Sequence, residues 1–265
     1  MKFLLLFFWM LMCYNGHTQE SYYIVKFSHK AATTHYLTNP AAYLGNKAIE
    51  RRTLYNIAID STDLPVQQIN AIRNLRILNQ SKWLNAVSIS TTQPSVLSEI
   101  EALPFVQSVR PVSSRIAVSK KKWEEEMFPP TTSYRSHKQD EAAFDYGPDS
   151  FEEINLHNGQ FLHNLGLRGQ GMRIAMLDGG FGGIRTLPAF DSVRFEGRIL
   201  STWDFVAQES DVNNDHPHGM QCFSTIVANI PGQFVGKAPY ASFHLFRTED
   251  ASMEIPLEEF NWVCG

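Results

Sequence analysis

The order of apolar and polar positions divides this chain into unlike stretches. Lys2 precedes an apolar run from Phe3 to Met12, followed by the polar Tyr14-Asn15-Gly16-His17-Thr18. The run is too short to span a bilayer as a helix and stands where the apolar region of a signal peptide belongs. No A-x-A pattern marks a cut, and the small Gly16 and Thr18 place it near Thr18 or Gln19. The large Met12 argues against Cys13 as a lipid-modified cysteine. From 22 to about 117 the period changes repeatedly. Tyr22-Tyr23-Ile24-Val25-Lys26-Phe27 is β-rich and predicts a first strand. Residues 46–55 carry Ala, Ile, Leu and Arg at helical spacing. Residues 75–80 and 84–90 predict a strand pair that turns near Ser81-Lys82-Trp83. Gln93-Pro94 opens a helix with Val96, Leu97, Ile100 and Leu103 on one face, and Phe105 to Arg110 is a last strand. The order β-α-β-β-α-β is the split, ferredoxin-like arrangement of a small α+β domain.

That regularity is lost from 112 to 150. Lys120, Lys121 and Lys122 meet Glu124, Glu125 and Glu126, and Pro129-Pro130 leads a polar tract to Pro148. Such a segment buries too little apolar surface to offset its ordering entropy, and exposed linkers are where proteases cut. Beyond 151 the pattern becomes α/β. Ile154, His157, Phe161, Leu162 and Leu165 share a helical face that Gly166 ends. Met172 to Leu177 predicts a buried parallel strand running into Asp178-Gly179-Gly180. Residues 198–205 and 242–246 predict further strands, and 218–229 a helix with Cys222, Phe223, Ile226 and Val227 turned inward.

Composition changes this picture little. A net charge of −4 gives no electrostatic argument for nucleic acid or an anionic membrane, and the three lysines are cancelled by their three glutamates. No internal repeat is present. Without the signal, only Cys222 and Cys264 remain, too few for a disulfide framework and spaced for no zinc motif.

Two segments carry chemistry. Asp178 ends a hydrophobic strand, on the edge of an open α/β sheet where sites lie. Alone, it is as compatible with the cap of a turn. In Asp215-His216-Pro217-His218-Gly219-Met220-Gln221-Cys222 a polar loop enters an apolar helix, so His218 can be held rigidly while Gly219 allows close backbone approach. A solvated loop histidine is the plain alternative. Asp211, Asp215, His216 and His218 also cluster in sequence, but Pro217 sets the histidines awkwardly for one ion and no helical His pair is present. Gly166, Gly169 and Gly171 precede their strand, which excludes a dinucleotide fingerprint.

Taken together, a strand ending in Asp178-Gly179 and a helix opened by His218-Gly219 resemble the subtilisin-like serine peptidases, whose triad runs Asp, His, Ser along the chain. Gly169-Gln170-Gly171 ahead of the strand and Gly236-Lys237-Ala238-Pro239-Tyr240-Ala241 are similar to that family's turns. Ser81-Lys82-Trp83-Leu84-Asn85-Ala86 and Leu103-Pro104-Phe105-Val106 resemble the inhibitory propeptide of bacterial secreted members. The resemblance implies a truncated subtilisin-like parallel sheet with flanking helices behind a ferredoxin-like propeptide. It implies a signal peptide at 1–19, the propeptide at 20–117, a linker with the processing site at 118–150 and the N-terminal part of the peptidase domain at 151–265. Catalytic roles pass to Asp178, which orients the imidazole, and to His218, the general base.

The chain departs from the family in three places. Gly179 replaces the usual Ser or Thr, and Gly219-Met220-Gln221 replaces Gly-Thr-His. No G-T-S-x-x-x-P occurs, and after His218 the serines are Ser224, Ser242 and Ser252, none in such a setting. The expectation is therefore a secreted serine endopeptidase precursor, inactive as it stands, with peptide substrates and its own propeptide as intramolecular inhibitor. The expectation includes no nucleic acid partner, no transmembrane segment in the mature chain, no cofactor and no metal. Calcium is frequent in the family, but no complete site can be matched here. A secreted propeptide-like protease inhibitor is the alternative, and it has no need of Asp178 or His218.

Overall fold

A computed structural model of the protein describes residues 20–30, 33–66, 69, 72–112, 143–253 and 255–265. The expected signal peptide and most of the expected linker, with its processing site, lie outside these.

Strand β1 (Ser21–Phe27) is followed by helix α1 (Asn46–Leu54), strands β2 (Arg76–Ser81) and β3 (Ala86–Thr91), helix α2 (Val96–Glu101) and strand β4 (Val106–Pro111). The four strands form one sheet in the order β2-β3-β1-β4, and every pairing is antiparallel. Side chains alternate across a strand, so Val25 and Phe27 of β1 fall on the face that holds Val87 and Ile89 of β3, and Val96 and Ile100 of α2 close over them. The β2–β3 turn is tight because Asn85 adopts φ 49°, which its short polar side chain tolerates. Helix α1 contributes no buried residue, and its C-terminal Leu54 is 76% exposed.

The second half begins with α3 (Gly147–Leu156) and α4 (Gly159–Asn164), then β5 (Arg173–Asp178), α5 (Asp191–Phe195), β6 (Ile199–Asp204), α6 (His218–Val227), the two-residue strands β7 (Asn229–Ile230) and β8 (Phe234–Val235), β9 (Ser242–Arg247) and α7 (Pro256–Cys264). Strands β5, β9 and β6 make a parallel sheet with β9 in the middle. Phe243 and Leu245 of β9 are fully buried, and Phe223 of α6 meets Phe243 edge-on at 4.8 Å while stacking on Phe190 at 5.3 Å. This aromatic seam clamps α6 to the sheet and thereby fixes the start of that helix.

The halves touch through polar groups. Asn79 of β2 donates from Nδ2 to Asn261 Oδ1 of α7 (2.7 Å) and to the Phe205 carbonyl (2.9 Å). Gln208 Nε2 donates to Asn79 Oδ1 at 2.9 Å, and Asn261 Nδ2 to the Thr248 carbonyl at 3.3 Å. Asn79 and Asn261 are both buried, so these bonds replace water that burial removed.

Three expectations need correction. The single helix through 154–165 is two, because Asn158 takes a left-handed φ of 54° and Gly159 lies against the Ile154 carbonyl, where a Cβ would come within 3.0 Å. The buried residue of α4 is not an apolar one but His163, bonded to Tyr146 Oη (2.8 Å) and the Lys237 carbonyl (2.9 Å), while Phe161, Leu162 and Leu165 face solvent. Residues 144–150, expected in the linker, are packed: Phe144 and Tyr146 are buried with Ile154 and Val235, and α3 starts at Gly147.

Candidate active site

The end of β5 and the start of α6 bring two side chains together. Asp178 closes β5, opposite Arg247 of β9, and its carbonyl accepts from Thr248 N at 3.0 Å. Its carboxylate is buried and accepts from the backbone N–H of Gly179 at 2.7 Å. The remaining capacity goes to His218, the first residue of α6, whose Nδ1 lies 2.8 Å from Oδ1 and 3.0 Å from Oδ2. An ionised carboxylate only accepts, so Nδ1 is the donor of this pair and carries its proton. The imidazole is 37% exposed, so Nε2 can be reached from solvent.

Two glycines permit the approach. A Cβ at Gly219 would stand 2.5 Å from the Gly180 carbonyl oxygen and 2.8 Å from Asp178 Cβ. Gly180 has φ +144°, and a Cβ there would meet the Asp215 Cβ and the His216 carbonyl oxygen at 2.6 Å. Any side chain at either position would hold α6 away from β5 and lengthen the His218–Asp178 contact.

Residues 22–127 match the family model described as "Peptidase S8 propeptide domain, Bacteroidota". That part of the chain, less than half of its length, is similar to a peptidase S8 propeptide domain. No curated protein matches the chain. Among solved structures, the epidermin leader peptide processing serine protease EpiP of Staphylococcus aureus is similar at 13% identity and a TM-score of 0.44, over 89% of this chain and 44% of that one. A mutant of the same protease gives 12% identity and a TM-score of 0.40, over 88% and 44%. This chain therefore spans less than half the length of these structures.

Strand β2 packs against α7, and Asp178 stands in register with Arg247 of β9. Arg247 Nη1 is 2.9 Å from Asp204 Oδ2 and 3.1 Å from Asp215 Oδ1. It thus ties β6 and the loop before α6 to β9. Burial raises the Asp215 carboxyl above its ordinary range, against the opposing pull of Arg247. The Asp211 carboxylate turns instead to Arg185 at 3.0 Å and to the Asn213 N–H at 2.9 Å, which hold it below the usual range, the Asn213 bond first. The carboxylates that cluster with His216 in sequence are thus committed to arginines.

Cys222 was expected to turn inward as packing. It turns to His218 instead, with Sγ 3.8 Å from Nε2. Four residues along a helix lie one above the other, so the signal was present in the spacing. Ser224 does not reach the pair: its Oγ donates to the Gln221 carbonyl at 2.6 Å within the helix. Ser252 donates to Asp250 Oδ1 at 2.6 Å, and Ser242 begins β9. Sequence reasoning missed Arg247 and its two carboxylates, because an arginine at a strand end has no local mark until the strands are put in register.

Proposed function

We propose that the protein is the N-terminal portion of a secreted serine endopeptidase precursor of the subtilisin-like type, with Asp178 and His218 as two members of an Asp-His-Ser triad. The observation that carries this reading is the Nδ1–carboxylate hydrogen bond at the carboxyl edge of a parallel sheet, in a chain that is also similar, over residues 22–127, to a peptidase S8 propeptide domain. In this reading His218 Nε2 takes the proton of the serine hydroxyl as it attacks a peptide carbonyl, then returns it to the leaving amine. Asp178 fixes the tautomer and stabilises the imidazolium. The serine is none of Ser224, Ser242 or Ser252, so residues 1–265 alone hydrolyse no protein. The propeptide, with the ferredoxin-like strand order of its sheet, serves as intramolecular inhibitor, and the substrates are peptides. Secretion follows from the signal expected at 1–19. Among the described residues no helix is long and apolar enough to cross a membrane.

The test extends the reading frame beyond codon 265. The reading expects G-T-S-x-x-x-P preceded by an oxyanion Asn, and self-cleavage of the extended protein between the propeptide and Phe144. His218→Ala abolishes that processing. A downstream frame without the motif, joined to potent inhibition of a subtilisin-type protease in trans, would favour the inhibitor reading instead.

A further inference from the structure

The turn that delivers His218 holds a second histidine that the proposed chemistry does not use. Helix α6 begins at His218, and its cap residue Pro217 makes no side-chain bond to the helix. The first N–H of a helix has no partner within it, so the amide of His218 needs one from outside. His216 supplies it: the His218 N–H donates to His216 Nδ1 at 3.2 Å. We propose that His216 is a positioning residue for His218, and that the turn between them opens when the His216 ring takes up a proton.

Proline restricts φ, and Pro217 has φ −81° and ψ 0°. Its ψ is the soft torsion inside the turn. The bond from residue 216 to residue 218 closes the turn around it, as an Asn or Asp side chain closes a turn on the N–H two residues on. The backbone of His216 is itself seated against the loop that follows Asp178. A Cβ at Gly180 would meet the His216 carbonyl oxygen at 2.6 Å and its nitrogen at 2.7 Å, and a Cβ at Gly179 would lie 4.0 Å from the His216 Cβ. The ring carries that seating across to His218, the two imidazoles being 6.5 Å apart and tilted by 43°. The Gly182 N–H reaches the His216 carbonyl only at 3.5 Å, a longer bond than the one made by the ring.

A backbone N–H only donates, so Nδ1 of His216 holds a lone pair and the proton of this ring is on Nε2. A proton added at Nδ1 removes the acceptor. It also sets a positive ring against the N-terminal end of α6, where the helix dipole already places positive charge. Both effects open the turn, and His218 then loses a constraint that keeps its Nδ1 2.8 Å from Asp178 Oδ1. The ionisable groups around the turn are Asp215 with its partner Arg247 at 3.1 Å, Asp178 and Glu249 at the glycines of the loop after β5, and His218 with Cys222 beyond it. Resting on the reading of His218 as the base, the consequence is a second proton-sensitive group in the peptidase. Catalysis then needs both rings unprotonated, and the acid limb of a rate profile follows two protons instead of one.

The experiment reads the bond itself in the ¹⁵N-labelled full chain, as the scalar coupling across the hydrogen bond between the His218 amide nitrogen and His216 Nδ1. The coupling is expected at about pH 8 and is lost toward about pH 5, the range in which imidazole titrates. In His216→Ala the His218 amide exchanges with solvent about 5–10-fold faster, the effect of losing one helix cap. His216→Asn, whose side-chain oxygen accepts the same N–H, restores that protection and keeps it at the acid end of the range. No coupling at the alkaline end, an unchanged His218 amide in His216→Ala, or an Asn variant that behaves like the Ala variant overturns the proposal. Should the Ala variant fail to fold, the coupling in the unsubstituted chain and the Asn variant decide. None of these readouts needs a serine, so they stand apart from the peptidase reading. In the extended protein, the acid limb of self-processing should follow about two protons, and about one in His216→Asn. A one-proton limb in both would overturn the acid opening. Processing absent at every pH, with the coupling intact, would overturn the peptidase reading and leave the role of His216 standing.

Discussion

Gly219 sets how closely α6 approaches β5 at residue scale. A methyl group there would overlap the Gly180 carbonyl and Asp178 together, and backbone cannot swing aside as a side chain end does. Gly219→Ala should cost about 1–3 kcal/mol, the usual range for overpacking, and lengthen the Asp178–His218 contact. Urea denaturation checks the first. The downfield His218 Nδ1 proton resonance checks the second, and an unchanged resonance would show that the glycine is not what admits the carboxylate. Cys264 provides a second residue-scale test. Burial pushes its thiol from 9.0 up to about 12. The folded chain then keeps a proton that the unfolded chain loses first, so this contribution is intact below pH 9.0 and is lost as pH rises toward about 12. Burial raises the Tyr146 phenol in the same direction. The urea midpoint should therefore fall across that window, and Cys264→Ala should make the fall shallower.

The elements meet through side chains whose partners lie far away in sequence. Asn79 on β2 and Asn261 on α7 are 182 positions apart, yet their amides are bonded inside a buried seam. Asn79→Ala would strip Asn261 Oδ1 of its donor and Gln208 of one acceptor. Leaving buried polar groups unpaired costs about 1–3 kcal/mol. The expected outcome is a lower denaturation midpoint together with faster proteolysis of the β1–β4 unit, because the seam is where the halves touch. Loss of global stability with an unchanged proteolysis pattern would instead place the role of Asn79 inside its own sheet, where its backbone N–H donates to the Ser88 hydroxyl at 3.0 Å. At this scale α4 shows why an apolar stripe can mislead. Its Phe161, Leu162 and Leu165 match a buried face in sequence, but the Tyr146–His163 hydrogen bond rolls the helix so that the histidine goes inward. A satisfied polar pair can occupy a core position that hydrophobicity alone assigns to a leucine.

Among the described residues there are three buried apolar clusters: Val25, Phe27, Val87 and Ile89 in the β1–β4 unit, Phe190, Phe223, Phe243 and Leu245 around the parallel sheet, and the smaller group of Phe144, Tyr146, Ile154 and Val235. The lysine-glutamate stretch runs between the first and the other two in sequence. Since Phe144 and Tyr146 are buried, limited proteolysis should cut between 118 and 142 and spare the segment from Phe144 onward. Mass spectrometry of the first products checks this. A first cut after residue 144 would mean that the helix α3 region opens more readily than the linker composition implies.

Much of the architecture follows from local pattern. The order of the elements from β1 to β4, the strand that delivers Asp178 and the helix that starts at His218 were each legible, because side-chain period and turn residues act within a few positions of themselves. The pairing of Asp178 with His218 was legible only through the resemblance to a family, since forty residues of chain separate them. Tertiary structure alone decided the inward turn of His163, the ion pairs of Arg247 and the amide seam at Asn79. In each of these the partner is distant in sequence. What chooses between two locally acceptable conformations is the packing or hydrogen bond that the distant partner supplies, and no stretch of sequence contains both halves of that choice.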